Sequence, residues 1–194
     1  MALTDLLIPS FTQMLRALSA WLEKAQAQRA DAEDLLAKGL APDMLPLSTQ
    51  VRFACIQAYE AVSRLRGEAF PVIHQALLEE GRQGRDNPGA LVDAQARIRE
   101  TLAFLETVAP GDLDASAPRA IAHALPNGMT FDLSDVQYAR DWVLPQFYFH
   151  LMTAYAILRA QGVDLGKADY VTHMFAYLRP GTAPPETPAP QSVR

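Results

Sequence analysis

The chain has 194 residues, 49% hydrophobic and 20% charged, a balance that suits one folded domain with a sizeable core and is too short to promise two. Its formal net charge is −5, with 17 basic residues scattered among 22 acidic ones, so nothing on it attracts nucleic acid or anionic lipid in bulk. A single cysteine, Cys55, excludes a disulfide within the chain and suits a reducing compartment.

The opening stretch from Met1 to Phe11 carries Asp5 where a leader would carry basic residues, so it does not read as a signal peptide. The longest apolar run, Phe147 to Leu158, is broken by His150 and Thr153 and falls short of the roughly 20 residues a membrane span requires. The expectation is a cytoplasmic protein with neither nucleic-acid nor membrane partners. Residues 1–178 are expected to form one helical domain, and 179–194 a disordered proline-rich tail.

From Thr4 to Arg29, Phe11, Leu15, Leu18, Leu22 and Ala25 recur three or four apart, the spacing of a helix with one buried stripe. Pro9 lies near its start and predicts a kink or a later beginning. A short helix from Asp31 to Lys38 should stop at Gly39 in a left-handed cap. The second long helix, from Leu47 to Leu65, buries Leu47, Val51, Ala54, Ala58, Val62 and Leu65 and ends at Gly67. Residues 68–87 are the least regular. Val72 to Glu80 suits a short helix, and Gly81, Gly84 and Gly89 interrupt the stretch after it. The third long helix is predicted from Pro88 to Val108, with Asn87 as its cap.

The period then changes. Residues 120–125 and 129–133 flank Pro126-Asn127-Gly128, and Asn-Gly is a strong hairpin signal. With Asn127 and Gly128 as the two turn residues, Pro126 pairs with Met129, His123 stands opposite Asp132, and Met129, Phe131 and Leu133 share the face that packs. Ser134 should cap the last long helix, from Asp135 to Gln161, which Pro145 is expected to kink. The pattern as a whole predicts an all-α fold, an antiparallel up-down four-helix bundle with a short β-hairpin before the last long helix. A looser domain with a fifth packed helix from residues 68–87 is the alternative.

Few residues carry chemistry. No Ser-His-Asp, Cys-x-x-Cys or phosphate-cradling glycine pattern is present. Cys55 falls between core positions and reads as a small buried hydrophobe. His150, among aromatics, is either a pocket base or a hydrogen-bonded structural histidine. Arg52, Tyr59, Tyr148 and Tyr155 are candidates to line a small-molecule site between helices. His123 and Asp132 read as a cross-strand charge pair. Lys167, Asp169 and Tyr170 form either a binding lip or a cap on the last helix. His74 and His173 receive no assignment.

The run Leu144-Pro145-Gln146-Phe147-Tyr148-Phe149-His150, with Thr153-Ala154-Tyr155 and Ile157-Leu158-Arg159, resembles the signature of an uncharacterised bacterial family. Gly162-Val163, Leu165-Gly166-Lys167 and Asp169-Tyr170 continue the likeness. The segment Leu40-Ala41-Pro42-Asp43-Met44, with Pro46-Leu47 and Gln50-Val51, matches a second signature. The family is a domain of unknown function, number nineteen ninety-three, in the DinB/YfiT-like superfamily of metalloenzymes. The resemblance covers roughly residues 4–170 and implies an up-down bundle. It also implies a divalent metal held by three histidines, one on the second helix and an H-x-x-x-H pair on the fourth. Those positions read here as Gln50, Gln146 and His150, with Asp43 and Asp141 the nearby carboxylates. A neutral amide oxygen is a poor ligand for a borderline-soft ion. His150 is therefore the one residual metal candidate, and no cofactor is predicted. The expected function is a non-catalytic module that binds a small molecule or forms a homodimer. A metal-dependent enzyme or transferase that uses His150 is the alternative.

Overall fold

The computed structural model describes residues 2–114 and 119–182; of the tail expected over 179–194, residues 183–194 lie outside the described residues. The fold is mainly helical with one two-stranded antiparallel sheet. Among the described residues no helix is long and apolar enough to cross a membrane.

Helix α1 spans Leu3–Gln28 with Pro9 inside it. It begins early despite the proline because Asp114 caps it from far along the chain. The Asp114 carboxylate accepts the Leu3 N–H and, at 2.8 Å, the Thr4 hydroxyl. Those are donors a helix start otherwise leaves without partners. A 3-10 turn, Ala32–Ala37, comes next and ends at Lys38, whose backbone is extended, so Gly39 is not the left-handed cap that was expected.

Helix α2, Leu47–Arg66, is the central element. Sixteen of its twenty residues are buried, and it packs on α1, on helix α4 (Leu91–Glu106) and on helix α6 (Leu144–Ala160). Gly67 ends it at φ 72°, and the Glu68 N–H donates back to the Ser63 carbonyl at 2.8 Å. This is the left-handed closure that glycine allows without a Cβ penalty.

Residues 72–83 form a true helix, α3 (Val72–Gln83), packed along α2. The glycines read from sequence as breakers are its contact points. The Thr49 hydroxyl donates to the Gly81 carbonyl at 2.8 Å and the Ser48 hydroxyl to the Gly84 carbonyl at 3.1 Å. A Cβ on Gly81 would sit 2.3 Å from the Phe53 ring. Helix α4 starts three residues later than predicted. Gly89 takes φ 70°, and the Asp93 and Glu33 carboxylates accept the Ala90 and Leu91 N–H groups, leaving Asn87 no capping part.

Strands β1 (Ala120–Ala124) and β2 (Thr130–Ser134) pair one residue out of the expected register. His123 stands opposite Phe131, not Asp132. The Gly128 N–H donates to the Leu125 carbonyl at 3.0 Å with Gly128 at φ 89°, and the Leu125 N–H donates to the Met129 carbonyl at 2.7 Å. The loop therefore holds three residues, a turn with proline at its second position and then a left-handed glycine. Pro126 selects that turn. Ile121 and His123 are the buried residues of the ribbon, whereas Met129 and Phe131 stay largely exposed.

Ser134 then begins helix α5, Asp135–Gln137, with a reciprocal cap: its hydroxyl accepts the Gln137 N–H at 3.2 Å and the Gln137 side chain accepts the Ser134 N–H at 2.9 Å. The helix widens to π geometry over Tyr138–Val143 before α6. Pro145 has no N–H to give and sits in the first turn of α6, directly after that wide turn. The irregularity expected at the proline is thus taken up N-terminal to it. At its far end α6 closes at Gly162 (φ 84°), and the Arg29 guanidinium donates to the Gln161 carbonyl. Asp169, in the short helix α7 (Lys167–Tyr170), pairs with Lys24 at 3.1 Å and caps the Gly166 N–H at 2.7 Å. The signature residues after α6 thus tie its end to α1, with Asp169, not Lys167, making the bonds.

Gly81→Ala must push the Phe53 ring or part α2 from α3. It is expected to destabilise the fold by about 2 kcal/mol and lower Tm by roughly 4–8 °C in a calorimetric scan, as overpacked sites do.

Candidate functional site

Two polar groups named from sequence meet. The His150 Nδ1–H donates to Gln50 Oε1 at 2.9 Å, and Gln50 Nε2 donates to the Leu45 carbonyl at 3.0 Å. The second bond fixes which way the amide faces, and so assigns the proton to Nδ1 and the lone pair to Nε2. The ring lies edge-on to Phe53 and Phe149, each 5.4 Å away between centroids. Burial among these groups pushes its pKa down to about 4, so it is a neutral imidazole at physiological pH.

His150 and Gln146, one turn apart on α6, line a cavity of about 400 Å³. The other walls come from three elements. Helix α2 supplies Phe53, Gln57, Glu60 and Arg64, which continue from Gln50 at steps of three and four. Helix α3 supplies Leu78 and Arg82, and the hairpin supplies His123, Leu125 and Pro126. Trp142, in the π turn, completes the α6 side. His123 packs its ring 4.3 Å from Trp142 and 5.5 Å from Tyr138. Burial and the positive charge of Arg64 hold it below its ordinary pKa.

The wall is unusual in its unmet hydrogen bonds. Gln57 Oε1, Arg64 Nε, both ring nitrogens of His123 and Trp142 Nε1 are all buried without a partner among the described residues. Buried polar atoms are nearly always paired, and each orphan costs about 1–3 kcal/mol. Glu60 differs: its carboxylate accepts from His74 Nε2 at 2.9 Å, and His74 in turn stacks on Phe70 at 4.2 Å.

The remaining sequence candidates lie elsewhere. Arg52 is 3% exposed and faces a different cleft of about 440 Å³, where Glu80 accepts from both Arg52 and Arg97 and Glu100 from Arg97. That cleft is slightly larger, but its carboxylates are already engaged. Tyr59 stacks on Phe104 at 4.4 Å, and Tyr155 meets Trp21 edge-on at 5.3 Å. Tyr59 is buried in the core, Tyr155 packs part-buried against it, and neither lines the cavity. Asp141 pairs with Arg140 at 2.7 Å on the surface. Cys55 is fully buried, and burial pushes its thiol up to about 11, which removes it as a nucleophile.

Gln57, Glu60, Arg64 and Trp142 were not singled out from sequence, and His123 was read only as half of a cross-strand pair. A signal existed for four of them. Gln50, Gln57, Glu60 and Arg64 form a polar stripe beside the apolar stripe of α2, and Trp142 extends the Gln146–His150 spacing by one more turn. His123 gave none, because the expected register turned it towards Asp132.

The donor set does not fit the three-histidine metal centre that the resemblance implies. One imidazole faces two amides, and Gln50 Oε1 is occupied by His150 itself. Among the described residues no three His, Cys, Asp or Glu side chains stand close enough to share an ion.

His150 also predicts an acid response. An unfolded chain gains a proton near pH 6.5 that the folded protein refuses until about pH 4, so stability is full above 6.5 and falls as the pH drops through that window. The loss approaches about 3 kcal/mol. Urea unfolding across the window should show this slope, and His150→Gln should flatten it, His123 leaving a smaller remainder.

A crystal structure of a DinB family member protein from Shewanella denitrificans is similar at 32% identity with a TM-score of 0.72, covering 94% of this chain and 96% of that one. This agrees with the DinB/YfiT-like resemblance. No curated protein matches the chain. A family model matches residues 3–171, and on that match the chain belongs to the family described as Domain of unknown function (DUF1993).

Proposed function

We propose that this protein is a non-catalytic binding module that holds a small molecule in the cavity between α2, α3, the hairpin and α6. One observation carries the reading: a cavity opens between these four elements that joins an apolar wall to the polar side chains of Gln57, Glu60, Arg64, Gln146 and His150. The volume, about 400 Å³, lies in the range of small-molecule sites, and Phe53, Leu78, Leu125 and Pro126 give it an apolar floor. His150 holds its one proton against Gln50, and among the described residues no hydroxyl, thiol or amine lines the cavity. We read α1, α2, α4 and α6 as the members of an up-down four-helix bundle, with α3 and the hairpin closing the side on which the cavity opens.

Thermal-shift screening of the full chain with a panel of small carboxylates, amides and amines tests this. At least one compound should raise Tm in a saturable manner, by mass action on the folded state. Gln57→Trp, which fills the cavity, should abolish the shift while the protein stays folded by circular dichroism. A shift that persists in Gln57→Trp, or no shift with any compound, would overturn the proposal.

A further inference from the structure

Among the described residues Arg52 is the one buried arginine. It lines the second cleft, of about 440 Å³, which lies between α2, the end of α3, the Asn87–Gly89 loop and α4. Two arginines share Glu80 there and use it differently. Arg97 commits Nε, Nη1 and Nη2 to the carboxylates of Glu80 and Glu100. Arg52 commits Nε alone, to Glu80 at 3.3 Å. Its Nη1 is enclosed without a partner and offers nothing to the cleft. The remaining nitrogen, Nη2, turns towards the loop: it lies 3.1 Å from the point where a Cβ on Gly89 would stand. Burial holds this guanidinium in one place, so its free edge is presented at a fixed position.

Gly89 keeps that edge open. Its φ of 70° is one that glycine adopts freely, and any side chain there would fill the space beside Nη2. A carboxylate borders the same space. Asp93 Oδ2 lies 3.8 Å from the vacant Cβ position and accepts the Ala90 N–H at 3.3 Å. Unlike Glu80 and Glu100, Asp93 is in no ion pair among the described residues. The exposed amides of Gln83 and Asn87 complete the mouth, and each can donate or accept. A guanidinium N–H and a carboxylate oxygen thus converge on one small open space.

We infer that this cleft binds a small polar α-amino acid at Gly89, its carboxylate accepting from Arg52 Nη2 and its ammonium donating to Asp93. An α-amino acid carries both charges on neighbouring atoms of one carbon, which suits protein groups that converge on a single point. A lone anion would gain Arg52 but meet Asp93 as a like charge, and a lone cation would gain Asp93 but meet Arg52. The zwitterion alone engages both with charge-assisted hydrogen bonds. A short polar side chain can reach the Gln83 and Asn87 amides. The cleft shares no lining residue with the cavity beside His150, so this site stands or falls apart from the function proposed there.

NMR titration of the isotopically labelled full chain at neutral pH, followed at the Asn87 and Gly89 amides, tests this with three probes. L-serine carries both charged groups, 3-hydroxypropanoate lacks the ammonium and ethanolamine lacks the carboxylate. L-serine should shift these signals saturably and reach half-saturation at a concentration at least about tenfold below that of either fragment. Asp93→Asn, whose amide oxygen can still cap Ala90, should weaken L-serine about tenfold and leave 3-hydroxypropanoate as tight or tighter. Gly89→Ala should abolish L-serine binding, because the new methyl takes the place of the ligand. If that variant does not fold, Asp93→Asn decides the matter. No saturation with L-serine would overturn the proposal, and so would either fragment binding as tightly as L-serine. Undiminished L-serine binding in Asp93→Asn or in a folded Gly89→Ala would overturn it as well.

Discussion

A helix buried on nearly every side must satisfy its polar side chains inside the protein, and α2 is such a helix. Ser48, Thr49, Gln50, Arg52 and Gln57 are all buried along it. Four of the five find partners that set the arrangement of the molecule. Ser48 and Thr49 bond the α3 backbone, Gln50 bonds Leu45 and His150, and Arg52 bonds Glu80. Each pairing draws a neighbouring element to a fixed distance, so the polar residues of α2 act as position markers as much as stabilisers. Net gains from such bonds are about 1 kcal/mol each, but breaking one strands a buried group at a higher cost.

Arg52 keeps one guanidinium nitrogen, Nη1, without a partner among the described residues, and Gln57 carries an orphan oxygen at the place where the α2 stripe reaches the cavity. Above it towards the N-terminus the stripe is closed by Leu45 and His150; below it Glu60 and Arg64 are braced by His74 and Phe70. The cavity thus lies between two braced clusters. Unmet hydrogen bonds in such a setting are not a sign of a loose region, because the side chains that carry them are held by aromatic contacts. His123 lies against Trp142 and Tyr138, and Arg64 over Phe70. Preorganised groups of this kind bind with little ordering cost.

Much of the helical framework was legible in the sequence, because a 3.6-residue period states which face is buried. The stripes of α1, α2 and α6, the Gly67 and Gly162 stops and the Ser134 cap all come from local rules. Departures came where a distant group overrode a local signal. Asp114 extends α1 past the weakness at Pro9, Glu33 and Gly89 move the start of α4, and Thr49 converts Gly81 from a breaker into a seat for Phe53. The hairpin register was lost to a single residue: Pro126 favours a three-residue loop over the two-residue turn that Asn-Gly alone suggests. At the site, the juxtaposition of Gln50 with His150 follows from the ligand positions that the resemblance implies. The cavity does not, since it needs the hairpin and α3 to arrive from segments whose placement no periodicity describes.

The wide turn over Tyr138–Val143 has a consequence for how this wall could change over time. A π turn holds one residue more than the α-helical turn it replaces, so the residues on either side of it are offset by about 100° of helical phase relative to an unbroken helix. Trp142 lies inside the turn, whereas Gln146 and His150 lie beyond it. A one-residue deletion there would restore a regular helix without disturbing the core stripe of α6, yet it would rotate Trp142 and Tyr138 against Gln146 and His150. Relatives that share this scaffold can therefore re-aim one half of the cavity wall by gaining or losing a single residue, while the half that meets α2 stays where it is.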